Sequence, residues 1–237
     1  MPDSARLHLP FVAAAQAQKH VTVNEALARV DAMVQVTAES RTLQSPPLVV
    51  SEGETYLIPA GGVNDWQDHD GEVTSFLNGA WAFFQPLPGW EIWVSDEFRR
   101  LTFTGDTWIE NAVALSKNQA AMHADIVEID HVFTGGTFEQ TGFVIPSHTS
   151  VWGVTGRVLQ PITGDLSDWS LGVDGSATRY GDGLGLGAGS WLRGLTGQPV
   201  TYYSATRLDL TANGGSFTGG SVRLAIHLMR FDLPLGD

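Results

Sequence analysis

Aromatic and charged side chains occur together in the second half of the chain, in the combination that binds carbohydrate. Sugar rings present apolar C–H faces and a rim of hydroxyl groups, so flat aromatic rings with nearby carboxylate, amide and guanidinium groups suit them. Most of the rings are expected to pack a core, whereas the stretches 179–182 and 202–203 are the better candidates for exposure. The residues predicted to bind carbohydrate are Trp169, Arg179, Tyr180, Asp182, Trp191, Arg193, Tyr202 and Tyr203.

Other chemistries find less support in the residue types. The sequence has no Cys and no pair of His at i, i+4 spacing, so we predict no metal site, no cofactor and no catalytic residue. The acidic stretch 65–72 does not fit an EF-hand, because Trp66 would have to be one of the ligands and cannot coordinate a metal ion. We interpret the stretch as a solvated loop, and an irregular Ca²⁺ or Mg²⁺ site is the alternative. Glu128, Asp130 and Glu139 could supply the two carboxyl groups of glycoside hydrolysis, so a polysaccharide depolymerase stays an alternative function.

The charge balance limits the partners. Of 237 residues, 26 are acidic and 13 are basic, and the formal net charge is −13. Such a chain is repelled by phosphate backbones and anionic lipid surfaces, so neither nucleic acid nor a membrane is an expected partner. The apolar stretch 7–12 near the start is short and interrupted by His8 and Pro10, which argues against a signal peptide.

The elements that must position these residues begin with a helix. Residues 13–36 contain no Pro or Gly and are rich in good helix formers. Six positions recur at spacings of 4, 3, 4, 3 and 4, which is typical of a coiled-coil seam between subunits. An amphipathic helix lying on its own sheet is the alternative. The predicted seam residues are Gln16, His20, Val23, Leu27, Val30 and Val34.

The rest of the chain has the pattern of short strands separated by turns. Asn78-Gly79 between two apolar runs predicts a hairpin with a type I′ turn. After residue 126, turn residues recur at intervals of about ten, which indicates a sandwich or a barrel rather than parallel βαβ units. We therefore predict a mainly β fold with an N-terminal α-helix, a small antiparallel meander and a jelly-roll-like C-terminal sandwich. The predicted segments are a docking arm and oligomerisation helix (1–38), a small β domain (39–110), a linker (111–125) and the sandwich (126–237).

The first half of the chain opens with a long and distinctive motif, residues 9–11 followed by 15–27. With this motif, about residues 7–110 resemble an uncharacterised family found in alphaproteobacterial prophages and gene transfer agents. The stretches 151–158, 169–173, 179–181 and 183–186 are similar to a C-terminal module that such proteins often carry. Further matching stretches are 39–41, 53–59, 70–72, 78–83 and 89–90.

The resemblance implies a subunit on the surface of a virion, either a head spike or a phage tail fibre, that attaches the particle to the host's surface polysaccharide. It implies other virion proteins as partners, such as a capsid vertex, tail or fibre component, and a homo-oligomer, with a trimer preferred and a pentamer possible. Such a particle is assembled in the bacterial cytoplasm and released by lysis. A structural base that links the virion to another fibre protein is the other alternative. The resemblance assigns no functional residue.

Overall fold

The fold is mainly β, as predicted, and the computed structural model describes residues 3–13 and 19–236. The chain divides into an N-terminal unit, Met1–Ala112, and a C-terminal unit, Val113–Asp237. Over the described ranges, no helical segment has both the length and the hydrophobicity needed to cross a lipid bilayer.

The helix of the N-terminal unit, α1, spans Lys19–Met33. It ends at Met33 rather than at Val36, and Gln35 just beyond it has a left-handed backbone with φ 48°. The Arg6 guanidinium donates hydrogen bonds to the carbonyl oxygens of residues 31, 32 and 35, at 3.3, 2.9 and 3.0 Å. A cation that satisfies these last carbonyls also interacts favourably with the helix dipole, so Arg6 terminates α1.

The segment before α1, part of the predicted docking arm, is tied to the helix by one buried carboxylate. Asp31 is 1% exposed and accepts hydrogen bonds from the Ser4 hydroxyl and the backbone N–H groups of Arg6 and Leu7, at 2.8, 2.9 and 2.6 Å. Residues 4–7 are therefore held against α1 of the same chain.

The predicted helix seam faces solvent where it is described. Val23, Val30 and Val34 are exposed, and His20 and Leu27 are half-buried. Gln16 lies outside the described residues. The opposite side of α1 is buried in the unit, so both alternatives for the helix fit this placement, and the intersubunit seam stays a prediction.

Two small sheets complete the N-terminal unit. One has the order β2-β3-β4, the other has the order β1-β5-β6-β7, and β1 and β5 are parallel. A short 3-10 helix spans Asn64–Trp66. The strands are β1 (Thr37–Ala38), β2 (Thr55–Leu57), β3 (Val73–Leu77), β4 (Ala80–Phe84), β5 (Glu91–Val94), β6 (Arg99–Phe103) and β7 (Trp108–Glu110).

The β3–β4 hairpin confirms the turn predicted from sequence. Asn78 and Gly79 have φ of 53° and 78°, the positive values that a type I′ turn requires. Phe76 and Trp81 are cross-strand partners whose ring centroids lie 5.2 Å apart, edge to face. The hairpin is thus held by its turn and by an aromatic pair.

The C-terminal unit is a jelly-roll sandwich. One sheet has the order β14-β11-β16-β9-β8 and the other has the order β10-β15-β12-β13. From β9 to β16 the chain alternates between the sheets except at the β12–β13 hairpin, as in a jelly roll. The strands are β8 (Ala112–Leu115), β9 (Ala121–Val132), β10 (Phe138–Ile145), β11 (Thr149–Gly164), β12 (Asp168–Val173), β13 (Ser176–Leu184), β14 (Trp191–Tyr202), β15 (Thr206–Asn213) and β16 (Phe217–Phe231).

The stretch 111–125, predicted as a linker, instead contains β8 and the first five residues of β9. The inward-facing positions of β9 in this stretch carry Ala121, His123 and Asp125 rather than aliphatic residues. The period-two alternation of a strand was therefore hidden behind a polar, Ala-rich composition.

Candidate functional site

Two of the rings predicted to bind carbohydrate are part of the core, so that prediction is wrong for them. Trp169 is 1% exposed and Tyr180 is 2% exposed. The Trp169 indole donates a hydrogen bond from Nε1 to the carbonyl oxygen of Gly185 at 3.2 Å and lies edge-on to Phe133. Both rings point toward the opposite sheet, so neither has a face available for a ligand.

Tyr202 belongs to the same buried cluster. Its hydroxyl lies 2.7 Å from that of Tyr180, and its ring packs against the core. Burial raises the pKa of both phenols, so the pair stays neutral and shares a hydrogen bond. Tyr202 is half-buried: it supports the fold and also lines an open pocket of about 590 Å³ with Gln140, Asp174 and Arg207, away from Trp191.

Three further candidates are accessible but do not come together. Tyr203 is 75% exposed and packs edge-on against His148 beyond the end of β14. Arg179 and Asp182 lie on β13 in the four-stranded sheet, and Asp182 accepts a hydrogen bond from the Ser170 hydroxyl at 2.7 Å. The structure does not place these residues in one groove.

Trp191 and Arg193 do share a groove. They project outward from β14, and between them Leu192 points into the core, as strand alternation requires. Trp191 is 67% exposed, and the Arg193 guanidinium carbon lies 6.0 Å from the centroid of its ring. The groove, which we call the Trp191 groove, has a volume of about 530 Å³ and is lined by Thr155, Gly156, Arg157, Trp191, Leu192 and Arg193.

The floor of the Trp191 groove is set by antiparallel pairing of β11 with β14. Arg157 lies opposite Trp191, and Thr155 lies opposite Arg193. Sequence reasoning did not find Arg157 or Thr155, because only the register of the two strands brings them beside the tryptophan. The side chains are thus held by a hydrogen-bonded sheet rather than by a loop.

Charge is distributed unevenly across this face. On the far side of Arg157, the Arg223 guanidinium pairs with both Asp130 carboxylate oxygens, at 2.6 and 2.7 Å. Arg223 lowers the pKa of Asp130, and Asp130 raises that of Arg223. Arg157 only approaches the Gly189 carbonyl oxygen, at 3.5 Å. Within the described residues, Arg157 and Arg193 have no carboxylate partner.

The acids considered for hydrolysis have structural partners. Besides Asp130, Glu139 accepts hydrogen bonds from the backbone N–H groups of Thr134 and Gly135 and lies 2.8 Å from His131 Nε2. Burial alone would raise the pKa of Glu139, but these three contacts outweigh it and hold the pKa below its usual range. Glu139 therefore stabilises the start of the connection between β9 and β10.

Two carboxylates of the acidic stretch 65–72 are hydrogen-bonded to nearby groups of the same chain. The Asp70 carboxylate accepts hydrogen bonds from the N–H groups of Gly61 and Gly62, both at 2.9 Å, and these lower its pKa. Glu72 lies 2.9 Å from His69 Nδ1. Among the described residues, no group of three potential metal ligands is close enough to hold an ion.

A larger cavity, of about 790 Å³, lies between α1 and the β3–β4 hairpin. Two of its polar side chains already have partners, since Arg29 lies 3.7 Å from Glu25 and the Asn24 amide bonds the backbone of Val12. His20 also lines the cavity, and its buried Nδ1 has no hydrogen-bond partner among the described residues. The Trp191 groove differs because it presents two guanidinium groups that have no carboxylate partner among the described residues.

Comparison with known proteins adds a family and a partial structural likeness. A family model described as "Protein of unknown function (DUF2793)" matches residues 23–109, which lie inside the range 7–110 of the resemblance above. A chain of the solved cyanophage Pam1 capsid asymmetric unit is similar at 25% sequence identity and a TM-score of 0.34, over 46% of this chain and 86% of that chain. No curated protein matches.

Proposed function

We propose that the chain is a subunit of a head spike or tail fibre on a phage-like particle or gene transfer agent. We further propose that its C-terminal unit attaches the particle to host surface polysaccharide without cleaving it. The resemblance of the first half to a prophage and gene-transfer-agent family supports the location on a virion. The exposed ring of Trp191 beside two arginines that have no carboxylate partner among the described residues, on a paired sheet, is the observation that carries the binding function.

The Trp191 groove suits weak binding to a sugar. Stacking a sugar on one face of the indole removes roughly 50 Å² of apolar surface from water, which contributes about 1.3 kcal/mol. Guanidinium N–H groups of Arg157 and Arg193 can donate to the surrounding hydroxyl oxygens. The groove is open, so a long polymer can lie across it without a free chain end.

A symmetric assembly would convert weak sites into firm attachment. We propose a homo-oligomer, with a trimer preferred and a pentamer as the alternative, because linked sites gain avidity without new contacts. The exposed side of α1 is the proposed seam between subunits. Mass measurement of the full chain in solution tests the stoichiometry, and a monomer at all concentrations would contradict it.

Adsorption of the labelled full chain to encapsulated and capsule-free cells tests the attachment function. We expect binding to the encapsulated cells only, and about a tenfold loss of affinity in Trp191→Ala. Trp152→Ala is the matched control, because Trp152 is 50% exposed on the same sheet but does not line the Trp191 groove. Equal adsorption to both kinds of cell would contradict the proposal.

The two alternative functions predict different results in the same material. A depolymerase releases reducing ends from the capsule polysaccharide, whereas a binding module leaves its size unchanged. A structural base shows no affinity for polysaccharide and binds a capsid or fibre protein instead. Size-exclusion chromatography after incubation therefore separates the three functions when two quantities are followed: a depolymerase reduces the size of the polysaccharide, a binding module co-elutes with the intact polymer, and a structural base does neither.

A further inference from the structure

We infer that the Trp191 groove selects an acidic polysaccharide, one whose sugars carry carboxylate groups. This inference rests on the proposed binding function and names the class of sugar. In the bound state, a sugar ring stacks on Trp191 while its carboxylate accepts hydrogen bonds from Arg157 and Arg193.

The pairing of arginines within the C-terminal unit leads to this inference. Residues 126–237 contain ten acidic residues and six arginines, so acidic partners are in excess. Arg223 pairs with Asp130, Arg230 pairs with Asp125, and Arg207 donates to the carbonyl oxygens of residues 141 and 142. Over the described part of this unit, four arginines have no carboxylate partner, and one of them, Arg207, is held by the two carbonyl oxygens just named. Two of the other three, Arg157 and Arg193, line the Trp191 groove, and the third is Arg179.

The positions of the two groove arginines explain why an anion is favoured. Arg157 and Arg193 are diagonal neighbours across the β11–β14 ladder, where side chains on one face come within roughly 7–8 Å of each other. Two like charges at this separation repel, and a carboxylate placed between them relieves the repulsion. A guanidinium presents a planar fork of donors that matches the two oxygens of a carboxylate.

Neighbouring charges limit where the anion can sit. Asp130 and Glu128 lie beyond Arg223, on the β9 side of the same face, and would repel a carboxylate. The favourable position is therefore next to β14, beside the exposed indole. The same arrangement orients the polymer, with the apolar sugar face on Trp191 and the acidic edge toward Arg157.

A pair of matched polymers tests this selectivity with the full chain. The probes are polygalacturonate and the same polymer after reduction of its carboxyl groups to primary alcohols, with a neutral galactan and a sulfated galactan alongside. We expect at least a tenfold loss of affinity on carboxyl reduction, because charge-assisted hydrogen bonds are lost. We also expect affinity for the acidic polymer to fall with rising salt.

The variants Arg157→Gln and Arg193→Gln should remove most of the difference between the acidic and reduced polymers. Arg179→Gln is the matched control, since it deletes an equally exposed and unpartnered arginine that lies on the other sheet. All three positions are at the surface, so thermal melting should be unchanged. Stronger binding to sulfated than to carboxylated galactan would show a general anion site and overturn the choice of carboxylate.

Failure of this inference can be distinguished from failure of the proposed function. Equal affinity for the acidic, reduced and neutral polymers, lost in Trp191→Ala, would overturn the selectivity and leave the binding function standing. Binding to none of the polymers, together with no adsorption to encapsulated cells, would overturn both. Loss of acid selectivity in Arg179→Gln alone would place the anion site on the other sheet and refute the assignment to this groove.

Discussion

Replacing either of two tryptophans of the C-terminal unit by Ala should change the free energy of unfolding by very different amounts. Trp169→Ala removes a ring that is 1% exposed, and truncating a buried aromatic costs about 3–5 kcal/mol. It also removes the hydrogen bond from Nε1 to the carbonyl oxygen of Gly185, worth about 1 kcal/mol. The expected loss of about 4–6 kcal/mol is close to the whole stability of many domains. Trp191→Ala, at a ring that is 67% exposed, should change the free energy of unfolding by less than about 0.5 kcal/mol.

Urea-dependent hydrogen exchange of the full chain can measure both effects. Peptides from the strands of the jelly roll report the C-terminal unit separately from the N-terminal unit. We expect earlier exchange of all these peptides in Trp169→Ala and wild-type exchange in Trp191→Ala. A loss of less than about 1 kcal/mol in Trp169→Ala, or an equal loss in both variants, would refute the assignment of one ring to the core and the other to the surface.

Other substitutions test single contacts. Asp31→Ala should destabilise the N-terminal unit by about 3 kcal/mol, measured by urea unfolding, because three hydrogen-bond donors lose their acceptor. The stability of the wild-type chain should decrease as the pH is lowered below about 4.5, because Glu139, whose folded-state pKa is lowered, then becomes protonated. Glu139→Gln should be less stable than the wild type at neutral pH, and its melting temperature should decrease less in acid. Gly194→Ala should destabilise the jelly roll by at least about 2 kcal/mol in a thermal melt, because the added Cβ would lie 2.0 Å from the Tyr180 carbonyl oxygen. Gly197→Ala is the control and should be tolerated, because a Cβ at that position meets no atom within 4 Å.

Features coded by neighbouring residues could be predicted from the sequence. The Asn78-Gly79 turn depends on two adjacent residues that accept positive φ, so the hairpin was visible without knowledge of the rest of the fold. The repeated turn residues of the second half likewise indicated a sandwich or a barrel rather than βαβ units. These features are local, and the sheets then assemble around them.

The groove could be predicted only in part, because it depends on the pairing of distant strands. Within the stretch 191–202, the sequence indicated a strand only near its end, since Gly194, Gly197 and Pro199 interrupt the apolar pattern. Pro is tolerated there because β14 is the edge strand of its sheet. Without the full strand, nothing in the sequence placed Arg157 opposite Trp191.

Alternation along a strand shows which residues share a face, but it does not show which face meets the core. Trp169 and Trp191 have the same residue type and similar Gly-rich surroundings, and the sequence therefore assigned both to the carbohydrate site. The structure separates them because Leu192 occupies the inward position on β14, whereas Trp169 occupies that position on β12. On β12 the residues that follow Trp169 are buried as well, so position along a strand alone does not decide which tryptophan is exposed.

The position of the Trp191 groove on a sheet has a consequence for how tightly it can bind. Its side chains project from paired strands, so little backbone entropy is lost when a ligand binds, but the surface is shallow and encloses little of the sugar. Each site is therefore expected to be weak on its own. Attachment of a particle would then require several copies acting together, and the affinity of the proposed appendage should depend on the number of sites that reach one polysaccharide strand at once.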